Sequence, residues 1–423
     1  MAVAVGAIVA ATVIAVLAIT EQLSGANSGP DLRPLLLLVG LVGLNCITYV
    51  VWMNRWNIVA HTALAFSIVA YVIPIVSLSR LDGLSSAALD LYYQVIVTGF
   101  FFAFIGVLIG AWISRGYDSE RLVASAGFMD AGVQERIRRR VLIAGALCVA
   151  GVAAAFAVMG FVPALTDDPL TAKFFRGAYA AAYQPVAPLY RGATSILSVL
   201  LPIIFLYAMK LRRLKWVLLA ASALVVLLLG LMRDPAASGI LLLLGVYIAV
   251  RRKPWILYFA ILVGTYFIGG AMYFILGQLG FSNFGDVGAQ ADLLTSAAAG
   301  APDISDQLLF LNAWLRDPQY TYGLTWLGGL IPGNNPWNPS VWSLSIVNPT
   351  QEITAIASGG LRLPPPIWGL VSFGWPGVVL VSVVTGAIQG FLAGIGKRVI
   401  PSTSIEASTY WLVLYACLTD VLP

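Results

Sequence analysis

The sequence predicts an all-α polytopic membrane protein, and composition is the first reason. Hydrophobic residues make up 60% of the 423 positions and charged residues only 10%, with a mean hydropathy of +0.89. Soluble domains carry about 25% charged residues. The second reason is that the charges fall between long apolar runs. This composition excludes a disordered chain, and a net charge of +5 spread over this length excludes nucleic acid as a partner.

The apolar runs predict about eleven transmembrane helices in a single integral membrane domain, residues 1–423. A helix needs about 20 apolar residues to cross the hydrocarbon core. The first run has no basic residue ahead of it, so we expect a retained helix rather than a cleaved signal peptide. The charge-free runs are 1–20, 34–54, 56–79, 91–114, 141–166, 192–209, 216–232, 235–250, 254–285, 363–396 and 407–419.

Charge predicts the orientation of these helices. If alternate connections share a side, one side has 16 of the 24 basic residues against 5 acidic ones, and the other has 8 basic against 14 acidic. The positive-inside rule then places the N-terminus in the cytoplasm. We therefore expect a multi-pass protein of the cell inner membrane. Its functional face would point to the periplasm or exterior.

Two connections on the external side are long, which is typical of functional loops. They are residues 161–191 and the large loop 278–365 between spans 9 and 10. In the second loop, apolar residues at helical spacing predict an amphipathic helix lying on or in the outer leaflet. These are Ile304, Leu308, Leu311 and Leu315, after the capping residue Asp303.

Aromatic residues concentrate in the large external loop, with six between Trp314 and Trp342. Trp and Tyr are enriched at membrane interfaces, and we favour that interpretation. Aromatic faces also stack on sugar rings, which makes Tyr322 and Trp337 candidate substrate-binding residues.

Four outward arginines are candidate anion-binding residues, because guanidinium groups bind phosphate in bidentate fashion. Arg176 in FFRGAY and Arg191 in LYRGAT each follow an aromatic residue and precede a glycine. Arg362 lies in GGLRLPPP. Arg233 precedes a short span that Asp234 or its neighbour would cap, so it would lie at a helix N-terminus. The alternative for Arg233 is an interfacial arginine paired with Asp234 and lipid phosphate.

Recognisable hydrolase and metal-binding motifs are missing from the sequence, and we expect no metal and no cofactor. The single histidine, His61, and the three cysteines lie in apolar runs and are expected to pack. A general base would have to be acidic. Glu352, Asp234 and Asp317 are the outward candidates, and Glu352 and Asp317 join Arg233 in the candidate catalytic group. For each acid we favour a role as a structural partner or helix cap over that of a base.

The apolar run at 363–396 is too long for one straight span. We expect a re-entrant or broken segment at its start, with the break at Gly374-Trp375-Pro376-Gly377.

Taken in order, these features resemble bacterial oligosaccharide repeat-unit polymerases, also called O-antigen polymerases. The resemblance covers roughly residues 170–396. Its most specific parts are Tyr322-Gly323, Ile331-Pro332 and Phe373-Gly374. Two departures are Gly369-Leu370, where such proteins often have an acid, and the lack of histidine in the external loop.

The resemblance implies a glycosyltransferase of lipopolysaccharide or other cell-envelope polysaccharide biosynthesis. It would polymerise undecaprenyl-pyrophosphate-linked oligosaccharide on the outer face of the membrane, with Arg176, Arg191, Arg233 and Arg362 holding the pyrophosphate. A chain-length regulator protein is an implied partner beside the lipid bilayer. The alternatives are a ligase that transfers a finished glycan, or a transporter or flippase of lipid-linked sugars. We rank transport last because we find no internal repeat.

Overall fold

The computed structural model describes residues 33–67, 84–118, 121, 131–175, 177–265, 303–328, 336–349, 360–402 and 404–420. Within these ranges all secondary-structure elements are helices. Four helical stretches are long and apolar enough to cross a membrane: Ser86–Ser114, Ala131–Met159, Thr171–Leu211 and Pro365–Val399. The chain is thus built as a helical membrane protein is. Eleven spans and their orientation remain predictions, and the first run, 1–20, lies outside the described residues.

The helices follow the predicted apolar runs closely, because hydropathy and helix length are local properties. In chain order they are α1 Arg33–Cys46, α2 Ile58–Ser67, α3 Ser86–Ser114, α4 Ala131–Met159, α5 Pro169–Lys173, α6 Ala178–Tyr183, α7 Ala187–Leu211, α8 Leu214–Leu229, α9 Arg233–Val250, α10 Trp255–Thr265, α11 Asp303–Trp314, α12 Leu324–Gly328, α13 Pro339–Val347, α14 Pro365–Val399 and α15 Ile405–Asp420. Short 3-10 turns cover Ile47–Val50, Pro163–Leu165, Gln184–Val186 and Ile400–Ser402.

Helices α4, α7, α8 and α9 share one apolar core. Gly145 of α4 lies against Ile204 of α7 and Leu219 of α8, and Gly151 lies against Leu189. Because residue numbers fall along α7 as they rise along α4, the two helices are antiparallel. Consecutive spans must run in opposite directions, so this arrangement agrees with the predicted fifth and sixth spans.

Helices α3 and α14 pack in parallel through small residues. A Cβ on Gly386 would lie 2.2 Å from the carbonyl oxygen of Ala103, and one on Gly390 would lie 2.2 Å from that of Val107. A Cβ on Gly110 would lie closer still to the carbonyl oxygen of Ala387, at 1.8 Å. In a membrane the hydrophobic effect does not drive helices together, and small residues favour association because they let the two backbones pack closely. The parallel direction is the one expected of two even-numbered spans.

Helix α14 folds back on itself near its start, as the sequence predicted. Phe373 and Gly374 have non-helical torsions, with φ of 67° and ψ of −151° at Gly374. Gly99 of α3 would place a Cβ 2.2 Å from Pro366 and 3.3 Å from Ser382. These two residues would be about 24 Å apart in a straight helix. Residues 365–372 therefore form a short limb antiparallel to the start of the long limb, with Gly374 at the turn.

Helix α11 forms where its spacing predicted, but its apolar face does not lie on lipid. Ile304, Leu308 and Leu311 are fully buried in a core with α1, α3, α13 and α14. Gln307, on the same helix, accepts a hydrogen bond from Tyr92 Oη of α3 at 2.6 Å. The expectation of a surface helix was wrong, because one apolar stripe fits a protein core as well as a membrane.

At the opposite end of the helices, a buried carboxylate links three helices. Glu406 of α15 lies 2.9 Å from a guanidinium nitrogen of Arg138 and 3.0 Å from Nζ of Lys210. The hydroxyls of Tyr207 and Tyr410 are hydrogen-bonded beside this group. These residues come from three connections that the charge count assigned to one side. Their meeting shows that those connections share one end of the helices.

His61 packs as expected. It is buried, its Nδ1 lies 2.5 Å from Tyr49 Oη, and its ring stacks on Trp255 at 5.2 Å.

Candidate functional site

The candidate arginine with the fullest described environment is Arg191, the fifth residue of α7. Its Nε donates a hydrogen bond to Tyr183 Oη at 2.8 Å. Its guanidinium carbon also lies 5.7 Å from the centre of the Tyr183 ring. The residue is exposed, and a Cβ on the following Gly192 would meet no described atom within 4 Å. Arg191 is therefore fixed at its Nε and borders open space.

The aromatic residues of the two aromatic-Arg-Gly motifs touch each other. Phe175, which precedes Arg176, meets Tyr190, which precedes Arg191, edge to face at 5.3 Å. Tyr183 stacks on Phe175 at 3.7 Å and meets Tyr190 at 6.0 Å. We call Phe175, Tyr183 and Tyr190 the aromatic box. The sequence showed two similar motifs 15 residues apart, and the fold joins them.

The first motif has an unusual backbone on both sides of its arginine. Phe175 has φ of 50°, a left-handed conformation rare for a residue with a bulky side chain. Gly177 has φ of 55° and ψ of −131°, a region essentially restricted to glycine. Such strain is held only where the surroundings impose it, and it concentrates at functional sites. Arg176 itself lies outside the described residues.

Arg233 begins α9 at the same end of the helices as the aromatic box. A Cβ on Gly230, just before this turn, would lie 2.6 Å from Tyr190 Oη. The capping prediction was wrong, because the residue before the helix is Met232, which offers no side-chain cap. Leu231, with φ of 57°, closes the end of α8 so tightly that the chain re-enters a helix at once. The side chain of Arg233 lies outside the described part of the chain.

The early start changes which N–H groups this helix N-terminus can offer. Pro235 falls in the first turn and has no N–H group. The N–H of Ala236 donates to the carbonyl of Met232 at 3.4 Å. An anion at this helix start would therefore gain no N–H group from Pro235 or Ala236.

Arg362 lies next to α11 rather than to the aromatic box. Its carbonyl oxygen accepts a hydrogen bond from Gln307 Nε2 at 3.1 Å, while the residue as a whole is exposed. The same Gln307 side chain accepts from Tyr92. The backbone at Arg362 is thus fixed to α3 through one glutamine.

The turn of α14 carries a group of exposed aromatic rings. The N–H of Thr321 donates to the carbonyl of Val371 at 2.9 Å, and Thr321 Oγ1 lies 3.2 Å from Ser372 Oγ. These bonds bring the Tyr322-Gly323 and Phe373-Gly374 segments together. We call the exposed rings here the aromatic platform; they are Tyr320, Tyr322, Trp326, Phe373 and Trp375.

Tyr322 is the most exposed ring of the platform, at 73%. It has φ of 49°, so a bulky residue takes a conformation that favours glycine. Trp337 packs against α12, which follows Tyr322 in the chain: its carbonyl carbon would be 2.3 Å from a Cβ on Gly328 of α12. It is partly exposed, at 38%. Both sugar-binding candidates are therefore on the accessible surface.

The structure places neither candidate acid in a catalytic group. Asp317 is exposed, just beyond the end of α11, and its Oδ2 accepts a hydrogen bond from Gln319 Nε2 at 3.2 Å. That is the local role of a loop residue. Glu352 lies outside the described residues. Among the residues that the structure describes, no three His, Cys, Asp or Glu side chains are grouped as metal ligands.

The candidates thus fall into two groups, one around Arg191 and one around the turn of α14. Tyr183 is the residue that sequence reasoning missed. Its signal was weak, because it precedes Arg191 by eight residues across the break between α6 and α7.

No protein-family description, curated protein or solved structure matches this chain.

Proposed function

We propose that this protein is a membrane glycosyltransferase that polymerises oligosaccharide repeat units carried on undecaprenyl pyrophosphate. The observation that carries the proposal is the joining of two aromatic-Arg-Gly motifs through the aromatic box, with Arg191 held by Tyr183. This supports a site for an anionic group at the end of the helices that the charge pattern assigns to the outside. Eleven spans with a cytoplasmic N-terminus, in the cell inner membrane, are part of the proposal.

The proposed transfer does not need a strong general acid to protonate the leaving group. The leaving group is a pyrophosphate, so charge that develops on it is stabilised best by fixed guanidinium donors. Arg191 would contribute from the start of α7, with Arg176, Arg233 and Arg362 as further pyrophosphate ligands. Holding donor and acceptor in one membrane plane adds to the rate by proximity. Asp317 and Glu352 remain the proposed candidates for the base.

The aromatic platform supports the sugar half of the reaction. Aromatic rings offer large, rigid, partly polar contact surfaces. Tyr322 takes a strained backbone conformation at the turn of α14, which an interfacial anchor does not require. We therefore assign Tyr322 and Trp337 to contacts with the growing glycan.

Proteoliposomes that receive lipid-linked repeat units test the proposal. We expect a ladder of products, and we expect Arg191→Ala to abolish chains longer than one unit. Arg121→Ala is the matched control, because Arg121 is 90% exposed and paired with Asp118 in the segment assigned to the cytoplasm. Transfer of a single finished glycan would identify a ligase, and translocation with no ladder would identify a transporter. Either result rejects the polymerase.

A further inference from the structure

The Arg191 guanidinium is held at its Nε by Tyr183. Its Nε–H donates to Tyr183 Oη at 2.8 Å. A guanidinium has five N–H donors in a fixed plane. The bond at Nε, together with the Tyr183 ring 5.7 Å from the guanidinium carbon, restricts where the two Nη groups lie. A free arginine side chain has many rotamers, and this entropy is lost on binding unless the side chain is held beforehand.

Tyr183 can fix this plane because it is itself immobilised. It is buried, and its ring lies at 6° to the ring of Phe175 with 3.7 Å between the centres. The ring of Tyr190 meets the Tyr183 ring at an interplanar angle of 83°. A residue packed on two sides by rings has few alternative rotamers. Its hydroxyl is thus a fixed acceptor for Arg191.

The chemistry of the acceptor matters as much as its position. Arg138, at the opposite end of the helices, donates to the Glu406 carboxylate at 2.9 Å, which compensates its charge. A phenol is uncharged at neutral pH, because tyrosine titrates near pH ~10. The Tyr183 hydroxyl therefore orients the Arg191 guanidinium without cancelling its charge.

We propose that Tyr183 is the positioning residue for Arg191 and sets its guanidinium to bind the diphosphate group of the lipid-linked substrate. The inference rests on the proposed function for the identity of the ligand. Tyr183 acts through Arg191 and need not touch the substrate. The shared chemistry of the ligand is a diphosphate, whether it is free or attached to a polyprenyl lipid.

A double-mutant cycle on binding tests the inference. The full chain in phosphatidylcholine nanodiscs is titrated with inorganic pyrophosphate and, separately, with an isoprenyl diphosphate. We expect Tyr183→Phe, which keeps the ring and removes the acceptor, to weaken binding of both probes about 5-fold. Tyr179→Phe removes a hydroxyl from the same helix, α6, where the Tyr179 ring packs on Phe161 at 4.8 Å, outside the aromatic box, and we expect wild-type affinity. In an Arg191→Ala background, Tyr183→Phe should have no further effect.

Other outcomes overturn the inference. These are wild-type affinity in Tyr183→Phe, an equal loss in Tyr179→Phe, or the same loss with and without Arg191, which would mean a purely structural role. No binding of either probe by the wild type also overturns it. Binding of the isoprenyl diphosphate alone, with the full cycle, assigns the site to the lipid carrier and upholds the inference.

A second variant guards against misfolding. Arg191→Lys keeps the charge but has no Nε–H for Tyr183, so we expect a comparable loss of affinity. Wild-type affinity in Arg191→Lys would reject the positioning role. The proposed function fails separately: a protein that shows the binding cycle but makes no product ladder retains the inference and loses the polymerase. A protein that makes the product ladder but does not show the double-mutant binding cycle retains the polymerase and loses the inference.

Discussion

Gly369 and Gly377 face each other across the turn of α14, at a distance that admits no side chain. A Cβ on Gly369 would lie 2.4 Å from the carbonyl oxygen of Gly377, and one on Gly377 would lie 2.1 Å from that of Gly369. Backbone atoms cannot move aside as a flexible side chain can. The two glycines therefore allow the short limb of α14 to pack on the long limb and bring Phe373 to the platform.

We predict that Gly369→Ala destabilises the protein by about 1–3 kcal/mol, because the added methyl group overpacks this contact. The measurement is thermal unfolding of the purified protein in detergent. Gly264→Ala in α10 is the control, since a Cβ there meets no described atom within 4 Å. If both variants unfold at the wild-type temperature, the close contact between the two limbs is not present.

We predict that Glu406→Gln destabilises the protein by about 1–3 kcal/mol, because Arg138 and Lys210 would lose the carboxylate that compensates their charges. Chemical denaturation monitored by tryptophan fluorescence measures the change. Glu135→Gln is the matched control: Glu135 approaches the same Arg138 at 3.6 Å, but its side chain is 70% exposed. Exposed pairs contribute about 0–1 kcal/mol. Equal effects of the two substitutions would contradict the role of Glu406.

We predict that the two long loops face the outside of the cell, and labelling with a membrane-impermeant maleimide in intact cells measures this. Gln184→Cys and Gln319→Cys lie in the two external loops and should react, whereas Ala131→Cys should react only after the cells are permeabilised. All three positions are exposed. The native background should be low, because Cys46 and Cys148 are buried and Cys417 is partly buried. Labelling of Ala131→Cys in intact cells would reverse or reject the topology.

We predict that Tyr322→Asn shortens the product ladder and lowers activity about 3- to 10-fold, as expected for loss of one aromatic contact. Asparagine tolerates the left-handed conformation at this position, so the backbone should persist. Tyr322→Phe keeps the ring and should retain activity. A normal ladder from Tyr322→Asn would favour the membrane-interface interpretation of these rings.

The break in α14 shows how far sequence reasoning reached. A charge-free run too long for one span, interrupted by Gly374 and Pro376, predicted a re-entrant or broken segment, and the structure breaks the helix at Phe373 and Gly374. The positions of the described helices, and the shared end of the connections that carry Arg138, Lys210 and Glu406, were predictable for the same reason. Hydropathy, glycine and proline torsions, and charge at a helix end are all properties of a short stretch of chain.

Sequence reasoning failed for features that depend on how one helix packs against another. The apolar stripe of α11 predicted contact with lipid, but Leu308 and Leu311 are buried against other helices. A stripe shows that a face must leave water and does not show what covers it. The cap of α9 was misplaced because Leu231 tightens the preceding turn, which depends on how α8 ends.

By itself, the sequence determined that this is a helical membrane protein, where its described helices run, and which arginines lie outside the apolar runs. Only the tertiary structure decided that the two aromatic-Arg-Gly motifs meet, that Tyr183 holds Arg191, and that Glu406 lies between Arg138 and Lys210. The physical reason is range. Helices follow from properties of neighbouring residues, whereas a site forms from contacts between segments that only packing brings together.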